Sequence, residues 1–404
     1  MKIFIYRYSP ASIALDQLDF SAWLVIAPLN QRASYSAYLT TQQLESCFFL
    51  TDFQLATVFK KVKEIDVFSK ITEITTLAEE DIQWVGFLND FFTRNTQTAF
   101  LVDTCFKDKY YMRTVLQDVI YQPIFSNLLS KAQLKTFFKT NGKCLIKPRK
   151  SAAANGIQMI KNMSDIDAID NTFFDTSYLV ETYSPLKNMC TCDGFSLDGR
   201  IINFSVHEYE YGVLDSFTNK KPFIIRTSKL YARKSMIHKL FAETQKIIAT
   251  TVYKKAFPFH FEFFYDEASD ALIFCEGAKR FGGQGVIKLT KNEYQLDFLS
   301  DFWHNYDLPI NERPKTKIFD PGQRICAWFQ VFIPGGTLTK KPDWPSKPWI
   351  SAVYDFVQIN QNYATPPDAS SICCSIAFEA NSEPEFQQRV NFLSKLSQDY
   401  VFKK

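Results

Sequence analysis

Two glutamates, Glu262 and Glu276, are spaced so that they could share a metal ion. Each lies in an aromatic or apolar run, and turn-favouring residues at 266–270 separate the two runs. If the runs pair as a hairpin centred on Ser269, the two glutamates are cross-strand partners on one face. Like charges in that position destabilise a sheet by a few tenths to ~1 kcal/mol, and aromatic neighbours make their desolvation costlier. The pair therefore favours a site for a hard divalent cation, which binds carboxylate oxygen and often shares it with substrate phosphates. An edge hairpin with solvated glutamates is the alternative.

A second candidate site follows a short predicted strand at 143–149. Lys147 lies near the end of this strand, and a turn of small residues from Ser151 to Gly156 comes next. Backbone N–H groups in such a turn can approach a ligand closely, so the combination is of the phosphate-binding type. An ordinary surface connection has the same pattern, and both interpretations stay open on this segment alone. Lys109, at a predicted helix start, is a weaker candidate of the same kind.

The elements that must position these residues follow from hydrophobic spacing. The first hundred residues combine a short apolar strand with two helical patterns, which indicates an α/β layer unit. Asp198-Gly199 is a two-residue hairpin signal inside a strand region. Helices are predicted over 55–68, 79–92, from 108 to near Pro123, from 164, over 234–255 and over 382–401, and strands over 2–6, 143–149, 178–183 and 195–206.

Size and charge limit the kinds of partner. A chain of 404 residues should form two to three domains at roughly 100–200 residues each. Its net charge of +3 comes from 46 basic and 43 acidic residues mixed along the sequence, so neither nucleic acid nor a membrane is the expected partner. Arg7 interrupts the apolar N-terminus before a signal-peptide core forms, and no run reaches about 18 apolar residues. We expect a cytoplasmic protein with small-molecule partners, acting alone or as a homodimer.

Cysteine and histidine spacing excludes several metal chemistries. The nine cysteines include no C-x-x-C pair, so neither structural zinc nor a disulfide framework is expected. The four histidines lack H-x-x-x-H and H-E-x-x-H spacing. His260 shares a strand face with Glu262 and could reach the site, although a histidine in an aromatic strand is more often part of the packing.

Taken in chain order, these candidates resemble the ATP-grasp superfamily, and within it carboxylate-amine ligases of the L-amino-acid (dipeptide) ligase type. The likeness extends from about residue 80 to 290 and is thin outside that span. Four segments carry it: Asp108 to Arg113 matches a D-K-x-x-M-R helix, Ile146 to Arg149 with the following loop matches a V-K-P-x strand and lid loop, Leu179 to Tyr183 matches an L-V-E-E-Y hinge, and Glu276 to Gly283 matches E-x-x-x-R-x-G-G.

The resemblance implies an α/β (α+β) fold in three parts. These are an N-terminal Rossmann-like domain over 1–108, a linker helix with a small α+β lid over 109–180, and a C-terminal antiparallel-sheet catalytic domain over 181–404. The implied activity is an ATP-dependent ligase that forms an amide or peptide bond between amino acids or small peptides. The reaction would pass through an acyl phosphate and release ADP and phosphate.

The resemblance also implies residue roles. ATP and Mg²⁺ are the implied cofactors, with Mn²⁺ as an alternative ion. Glu262 and Glu276 would bridge the metal to the phosphates, Lys147 and Arg280 would be catalytic, and the substrate would lie near Arg280, Gly282, Gly283 and His260. The nucleotide-binding residues would be Lys109, Lys147, Ser151, Ala152, Ala153, Asn155, Gly156, Glu181, Thr182 and Tyr183.

Two departures from the family pattern leave alternatives open. Ala278 replaces an asparagine that supplies a metal ligand in many members, and Asn188 or Met189 stands where an acidic residue would bind ribose. A nucleotide-binding protein without catalysis is therefore one alternative. A biotin-carboxylase-like or purine-biosynthetic ligase that uses bicarbonate is another.

Overall fold

The N-terminal unit is a parallel α/β layer. The computed structural model describes residues 1–94, 98–251, 256–283, 285–365 and 369–404. The strands of this unit are β1 (Lys2–Ile5), β2 (Trp23–Pro28), β3 (Cys47–Leu50) and β4 (Glu73–Thr75), which pair in parallel in the order β3-β2-β1-β4. Its helices are α1 (Arg32–Tyr38), α2 (Thr41–Leu44), α3 (Leu55–Phe68), α4 (Ile82–Thr93), α5 (Ala99–Cys105) and α6 (Lys109–Val115).

The sequence pattern explains most of this unit. β1 is a continuous apolar run because both faces of a parallel sheet are covered, and Ile3, Phe4 and Ile5 are fully buried. The helix predicted over 55–68 is confirmed with the same bounds. The helix predicted from 108 to near Pro123 is wrong in length, because it ends at Val115. Asp118 then adopts a left-handed conformation with φ of 64°, which an α-helix cannot continue.

The middle of the chain forms a small antiparallel lid sheet. Its elements are β5 (Phe125–Leu128), α7 (Lys131–Asn141), β6 (Cys144–Pro148), β7 (Gln158–Ile160), α8 (Met163–Ala168) and β8 (Asp175–Thr182), with strand order β5-β8-β6-β7. The two helices pack on one another over their own apolar cluster, which includes Leu134 and Ile166. The domain boundary predicted at 180 falls inside β8, whose last residues still pair with β5 and β6.

The C-terminal part is built on a large sheet that carries the glutamate hairpin. The strands of this part are β9 (Asn188–Leu197), β10 (Arg200–Tyr209), β11 (Phe223–Thr227), β12 (Phe257–Asp266), β13 (Ala271–Ala278), β14 (Lys317–Ile318), β15 (Ile325–Phe332), β16 (Gly336–Lys340), β17 (Ile350–Asp355), β18 (Asn362–Tyr363), β19 (Ile372–Ala380) and β20 (Val401–Lys403). The large sheet has the strand order β13-β12-β9-β10-β11-β15-β19-β17, with β14 beside β10, and β18-β16-β20 form a separate small sheet. The helices are α9 (Val213–Thr218), α10 (Lys234–Thr250), α11 (Val286–Tyr294), α12 (Phe298–Tyr306) and α13 (Glu383–Ser397).

Two sequence predictions in this part have different outcomes. The turn between β9 and β10 is at Asp198-Gly199, as predicted, and both residues have positive φ, 49° and 76°. The terminal helix predicted over 382–401 is wrong at its end, because α13 stops at Ser397 and β20 follows. The strand gains hydrogen bonds to β16, which a longer helix would have lost. Within the residues that the structure describes, no helix combines the length and apolar character needed to cross a membrane.

Candidate active site

The β12–β13 hairpin places Glu262 directly opposite Glu276, as the turn position predicts. A β-bulge makes this pairing possible. Nearer the turn, Phe263 pairs with Phe274, so an uninterrupted ladder would have placed Cys275 opposite Glu262. Cys275 is the extra residue. Bulges of this kind redirect side chains beside active sites, and this one sets the two carboxylates side by side.

The two carboxylates have different surroundings. The hydroxyl of Tyr209 donates to Glu262 Oε1 at 2.6 Å, and Nε2 of His260 lies 3.6 Å from the same oxygen. Burial opposes ionisation of Glu262, but the His260 and Tyr209 contacts outweigh it and lower the pKa. Glu276 is a third exposed and lies 3.4 Å from Lys109 Nζ. Among the described residues, none makes a hydrogen bond or ion pair with Glu262 Oε2.

Lys147 lies at the end of β6 in a buried charge network. Its Nζ is 2.6 Å from Glu181 Oε1, and Arg113 Nη2 donates to Glu181 Oε2 at 3.1 Å. Burial disfavours the charge of Lys147, yet Glu181 outweighs this and raises the pKa of the lysine. Burial likewise opposes ionisation of Glu181, but Lys147 and Arg113 hold its pKa at about 2. Lys147 is therefore a fixed positive charge on the cavity wall.

The hinge at the end of β8 has little free hydrogen-bonding capacity. Both carboxylate oxygens of Glu181 are paired, and the amides of Thr182 and Tyr183 donate to the carbonyls of Ile124 and Lys143. A nucleobase at this strand would therefore meet main-chain carbonyls or the half-exposed Tyr183 ring. The nucleotide-binding role of Glu181, Thr182 and Tyr183 stays a prediction.

The loop from Ser151 to Gly156 closes one side of the cavity. Ala153 and Ala154 have φ of 54° and 58°, a left-handed conformation that is uncommon for residues with a Cβ. Lys109 Nζ donates to the Ser151 carbonyl, and the amide of Ala369 donates to the Ala153 carbonyl at 3.0 Å. Two contacts from outside the lid thus hold the loop. Gly156 does not line the cavity, because it packs against Pro148.

Arg280 is held by a residue that the sequence did not single out. Its Nε donates to Glu79 Oε2 at 2.7 Å, and Lys107 Nζ lies 3.6 Å from Glu79 Oε1. Burial opposes ionisation of Glu79, but Arg280 and Lys107 lower its pKa to about 2. In the sequence, Glu79 has only the appearance of an acidic residue before a helix. Its pairing with Arg280, 201 positions away, depends on how the first domain packs against the hairpin.

Most of the predicted site residues line one cavity of about 880 Å³. Gly282 is not among the lining residues, and its role near substrate stays a prediction. A Cβ at Gly282 would lie 2.7 Å from Asp193 Oδ1, so this glycine permits close packing behind the cavity. The predicted residues that line the cavity are Lys109, Lys147, Ser151, Ala152, Ala153, Asn155, Glu181, Thr182, Tyr183, His260, Glu262, Glu276, Arg280 and Gly283.

The donor set fits a magnesium ion that is shared with phosphate. The described residues contain no group of three or more histidine, cysteine or acidic side chains arranged to hold a metal alone. Two adjacent carboxylates suit Mg²⁺, which usually takes one or two protein carboxylates together with water and substrate phosphates. Ala278 supplies no third ligand. At the predicted ribose position, the cavity is lined by Asn188 and Met189.

The low pKa of Glu79 predicts acid sensitivity. Its folded pKa of about 2 lies below the ordinary 4.5. The stabilisation it contributes is therefore fully present above pH 4.5 and is lost as the pH falls towards 2. We expect Glu79→Gln to lower the unfolding free energy by about 1–3 kcal/mol at pH 7 and to flatten its decline between pH 5 and 3. Denaturant titrations at several pH values test this, with Glu80→Gln, a change at the exposed neighbouring residue, as the control. If the unfolding free energies of wild type and Glu79→Gln fell in parallel as the pH is lowered, the prediction would be contradicted.

Comparison with known proteins identifies the fold. No protein-family model matches the sequence. No curated protein matches it either.

Among solved structures, the L-amino acid ligase from Bacillus licheniformis matches with a TM-score of 0.71 and 14% identity, covering 100% of this chain and 99% of that one. The N5-carboxyaminoimidazole ribonucleotide synthetase from Thermus thermophilus matches with a TM-score of 0.68 and 12% identity, covering all of both chains. The biotin carboxylase domain of the Hydrogenobacter thermophilus 2-oxoglutarate carboxylase matches with a TM-score of 0.64 and 14% identity, covering 100% of this chain and 90% of that one. The chain has the ATP-grasp fold.

Proposed function

We propose that this protein is an ATP- and Mg²⁺-dependent ligase that joins a carboxylate to an amine, with amino acids or small peptides as substrates. The observation that carries the proposal is the convergence of five charged side chains on one cavity. All five line it: Lys109 begins α6 and Lys147 is on the lid strand β6, Glu262 and Glu276 are on the β12–β13 hairpin, and Arg280 follows β13. This combination of fixed cations and paired carboxylates suits a nucleoside triphosphate with its metal.

In this proposal, the chain works mainly by positioning and by offsetting charge. Lys109 and Lys147 would contact the triphosphate oxygens, and Glu262 and Glu276 would hold the metal ion. The bound ion would neutralise charge on the phosphoryl group during transfer. Phosphoryl transfer asks little covalent chemistry of a protein, so the fixed geometry of these side chains supplies most of the catalysis.

The proposed reaction has two steps. A substrate carboxylate oxygen attacks the γ-phosphorus, which breaks the bond to ADP and forms an acyl phosphate. The amine then attacks the acyl carbon, phosphate leaves, and the amine loses a proton to give the amide. Arg280, oriented by Glu79, steadies the acyl phosphate or the substrate carboxylate. The loop at 151–156 limits access of water, which would hydrolyse this intermediate.

A phosphate-release screen tests the proposal. We expect the purified protein with ATP and Mg²⁺ to release phosphate with at least one amino acid or amino-acid pair. Mass analysis should then find the condensation product, and it would identify both substrates. Reactions without the protein give the background release. The proposal fails if release with every amino acid and pair equals this background.

A nucleotide-binding protein without catalysis is the second candidate. Ala278 and the lack of an acidic residue at Asn188 or Met189 favour it, because neither position supplies the group that would hold metal or ribose. It predicts that ATP raises stability by about 2.7 kcal/mol at 100-fold excess over Kd, with no turnover under any substrate mixture. A bicarbonate arm in the same screen covers the carboxylase-type alternative, for which release would depend on bicarbonate instead of an amine.

A further inference from the structure

A chain of buried titratable side chains runs behind Glu262. Glu293 Oε2 lies 2.8 Å from Nε2 of His207, and Nδ1 of His207 lies 3.5 Å from Asp193 Oδ2. The other oxygen of Asp193, Oδ1, lies 2.7 Å from Nδ1 of His260. Nε2 of His260 then faces Glu262 Oε1 at 3.6 Å. The proposed metal ligand is thus the last member of a five-residue chain.

The members come from four elements that meet under the cavity. Asp193 is on β9, His207 on β10, His260 and Glu262 on β12, and Glu293 on α11, which covers this face of the sheet. The side chains of Asp193, His207 and Glu293 are at most 3% exposed. Burying this many ionisable groups costs free energy unless each has a partner. Here every imidazole nitrogen faces a carboxylate oxygen, so each ionisable group has an ionisable partner.

The hydrogen bond and the ion pair that the described residues make with Glu262 are on the same oxygen. Tyr209 and His260 both approach Oε1, whereas no described residue makes a hydrogen bond or ion pair with Oε2. The terminal torsion of a glutamate is broad, so a free carboxylate would rotate between many orientations. Two groups fixed at Oε1 set the plane of the carboxylate and leave Oε2 for a cation.

His260 is itself held from behind. Asp193 Oδ1 fixes the ring at 2.7 Å, while the hydroxyl of Thr191 donates to Asp193 Oδ2. Gly282 has no side chain, so Asp193 can pack closely against the main chain at this position; a Cβ on residue 282 would lie 2.7 Å from Asp193 Oδ1. This glycine follows Arg280 by two residues. The segment that contains the proposed catalytic arginine therefore also packs against Asp193, a member of the series of buried side chains behind Glu262.

We propose that Asp193 and His260, backed by His207 and Glu293, are positioning residues that fix the Glu262 carboxylate for metal binding. The inference rests on the proposed function for the identity of the ligand, a divalent cation with a nucleoside triphosphate. In this role both residues act through Glu262, and no proton transfer through the chain is involved. Outer groups of this kind typically change metal affinity by about 10–100-fold when they are removed.

Binding of Mn²⁺ measures this role without catalysis. We expect Asp193→Asn and His260→Leu to weaken Mn²⁺ binding about 10–100-fold in the presence of a non-hydrolysable ATP analogue, as followed by electron paramagnetic resonance. Binding of the analogue in EDTA should stay unchanged. His260→Gln keeps a donor near the Nε2 position and should recover part of the affinity. Glu208→Gln is the matched control, because Glu208 is a buried carboxylate next to His207 that pairs with Arg226 instead.

The outcomes separate this inference from the proposed function. If Glu276→Gln weakens Mn²⁺ binding but Asp193→Asn and His260→Leu do not, only the positioning role is wrong. If Glu276→Gln has no effect, or if wild type binds no Mn²⁺ with the analogue, the proposed metal site itself fails. A parallel loss of metal binding and metal-free analogue binding would indicate general structural damage and would overturn the positioning role. Should His260→Leu not fold, Asp193→Asn alone gives the same comparison.

Discussion

Glu276→Gln is expected to lower Mg²⁺-dependent turnover by about 10²–10³-fold while leaving the fold intact, by analogy with the loss of one preorganised catalytic contact. Glutamine has nearly the same shape but lacks the negative charge that a hard cation requires. The substitution should cost little stability, because the Glu276 side chain is a third exposed and its ion pair with Lys109 is 3.4 Å long. Phosphate release with an active substrate pair, measured over a range of Mg²⁺ concentrations, gives the effect.

The same hairpin supplies the matched control for Glu276→Gln. Glu267 is exposed in the turn and lies outside the cavity lining, so Glu267→Gln makes the same chemical change without touching the site. We expect it to keep wild-type turnover and an unchanged thermal midpoint. Equal turnover in Glu276→Gln and Glu267→Gln would show that Glu276 holds no catalytic metal. A large fall in the midpoint of Glu276→Gln alone would assign the glutamate a structural role.

The sequence predicts the glutamate pair but not the feature that creates it. The prediction centres the hairpin on Ser269, midway between residues 262 and 276, and so assumes an uninterrupted ladder. In the structure, the pairs nearer the turn, such as Phe263 with Phe274, are centred half a residue before Ser269. The bulge at Cys275 restores the opposition of the two glutamates. A bulge depends on the packing of a strand against its neighbours, and the local pattern of residue types does not record it.

Local sequence signals similarly predict the candidate phosphate-binding lysines, but they do not predict which distant residues hold the other site residues in place. Lys109 and Lys147 lie at a helix start and a strand end, positions that a short window can recognise. Glu79 and Asp193 take their meaning from Arg280 and His260, which are 201 and 67 positions away. Contacts at that separation depend on how whole units pack together. From the sequence, His260 could either pack in the core or belong to the site. In the structure it lines the cavity and contacts Asp193 and Glu262.

Arg113→Met should destabilise the protein by about 3–5 kcal/mol, the usual cost of removing one partner from a buried ion pair. Arg113 is 1% exposed and joins three parts of the fold. From helix α6 its guanidinium donates to Glu181 on the lid strand, and it also donates to the carbonyls of Phe274 and Cys275 on the hairpin. Methionine fills a similar volume but leaves both carbonyls without that donor and Glu181 with Lys147 alone. Denaturant unfolding, followed by tryptophan fluorescence and circular dichroism, measures the loss.

Two further variants show whether this loss comes from the buried network. Arg32→Met removes an exposed arginine at the start of α1 and should change the unfolding free energy by no more than about 0.5 kcal/mol. Arg113→Lys keeps the charge but lacks the planar fork that reaches a carboxylate and two carbonyls together, so it should recover only part of the stability. Since the same fork fixes Cys275 in the bulge, the hairpin amides should exchange hydrogen faster in Arg113→Met than in Arg32→Met. Equal stability and equal exchange in these two variants would mean that Arg113 does not hold the lid strand and the bulged hairpin in register.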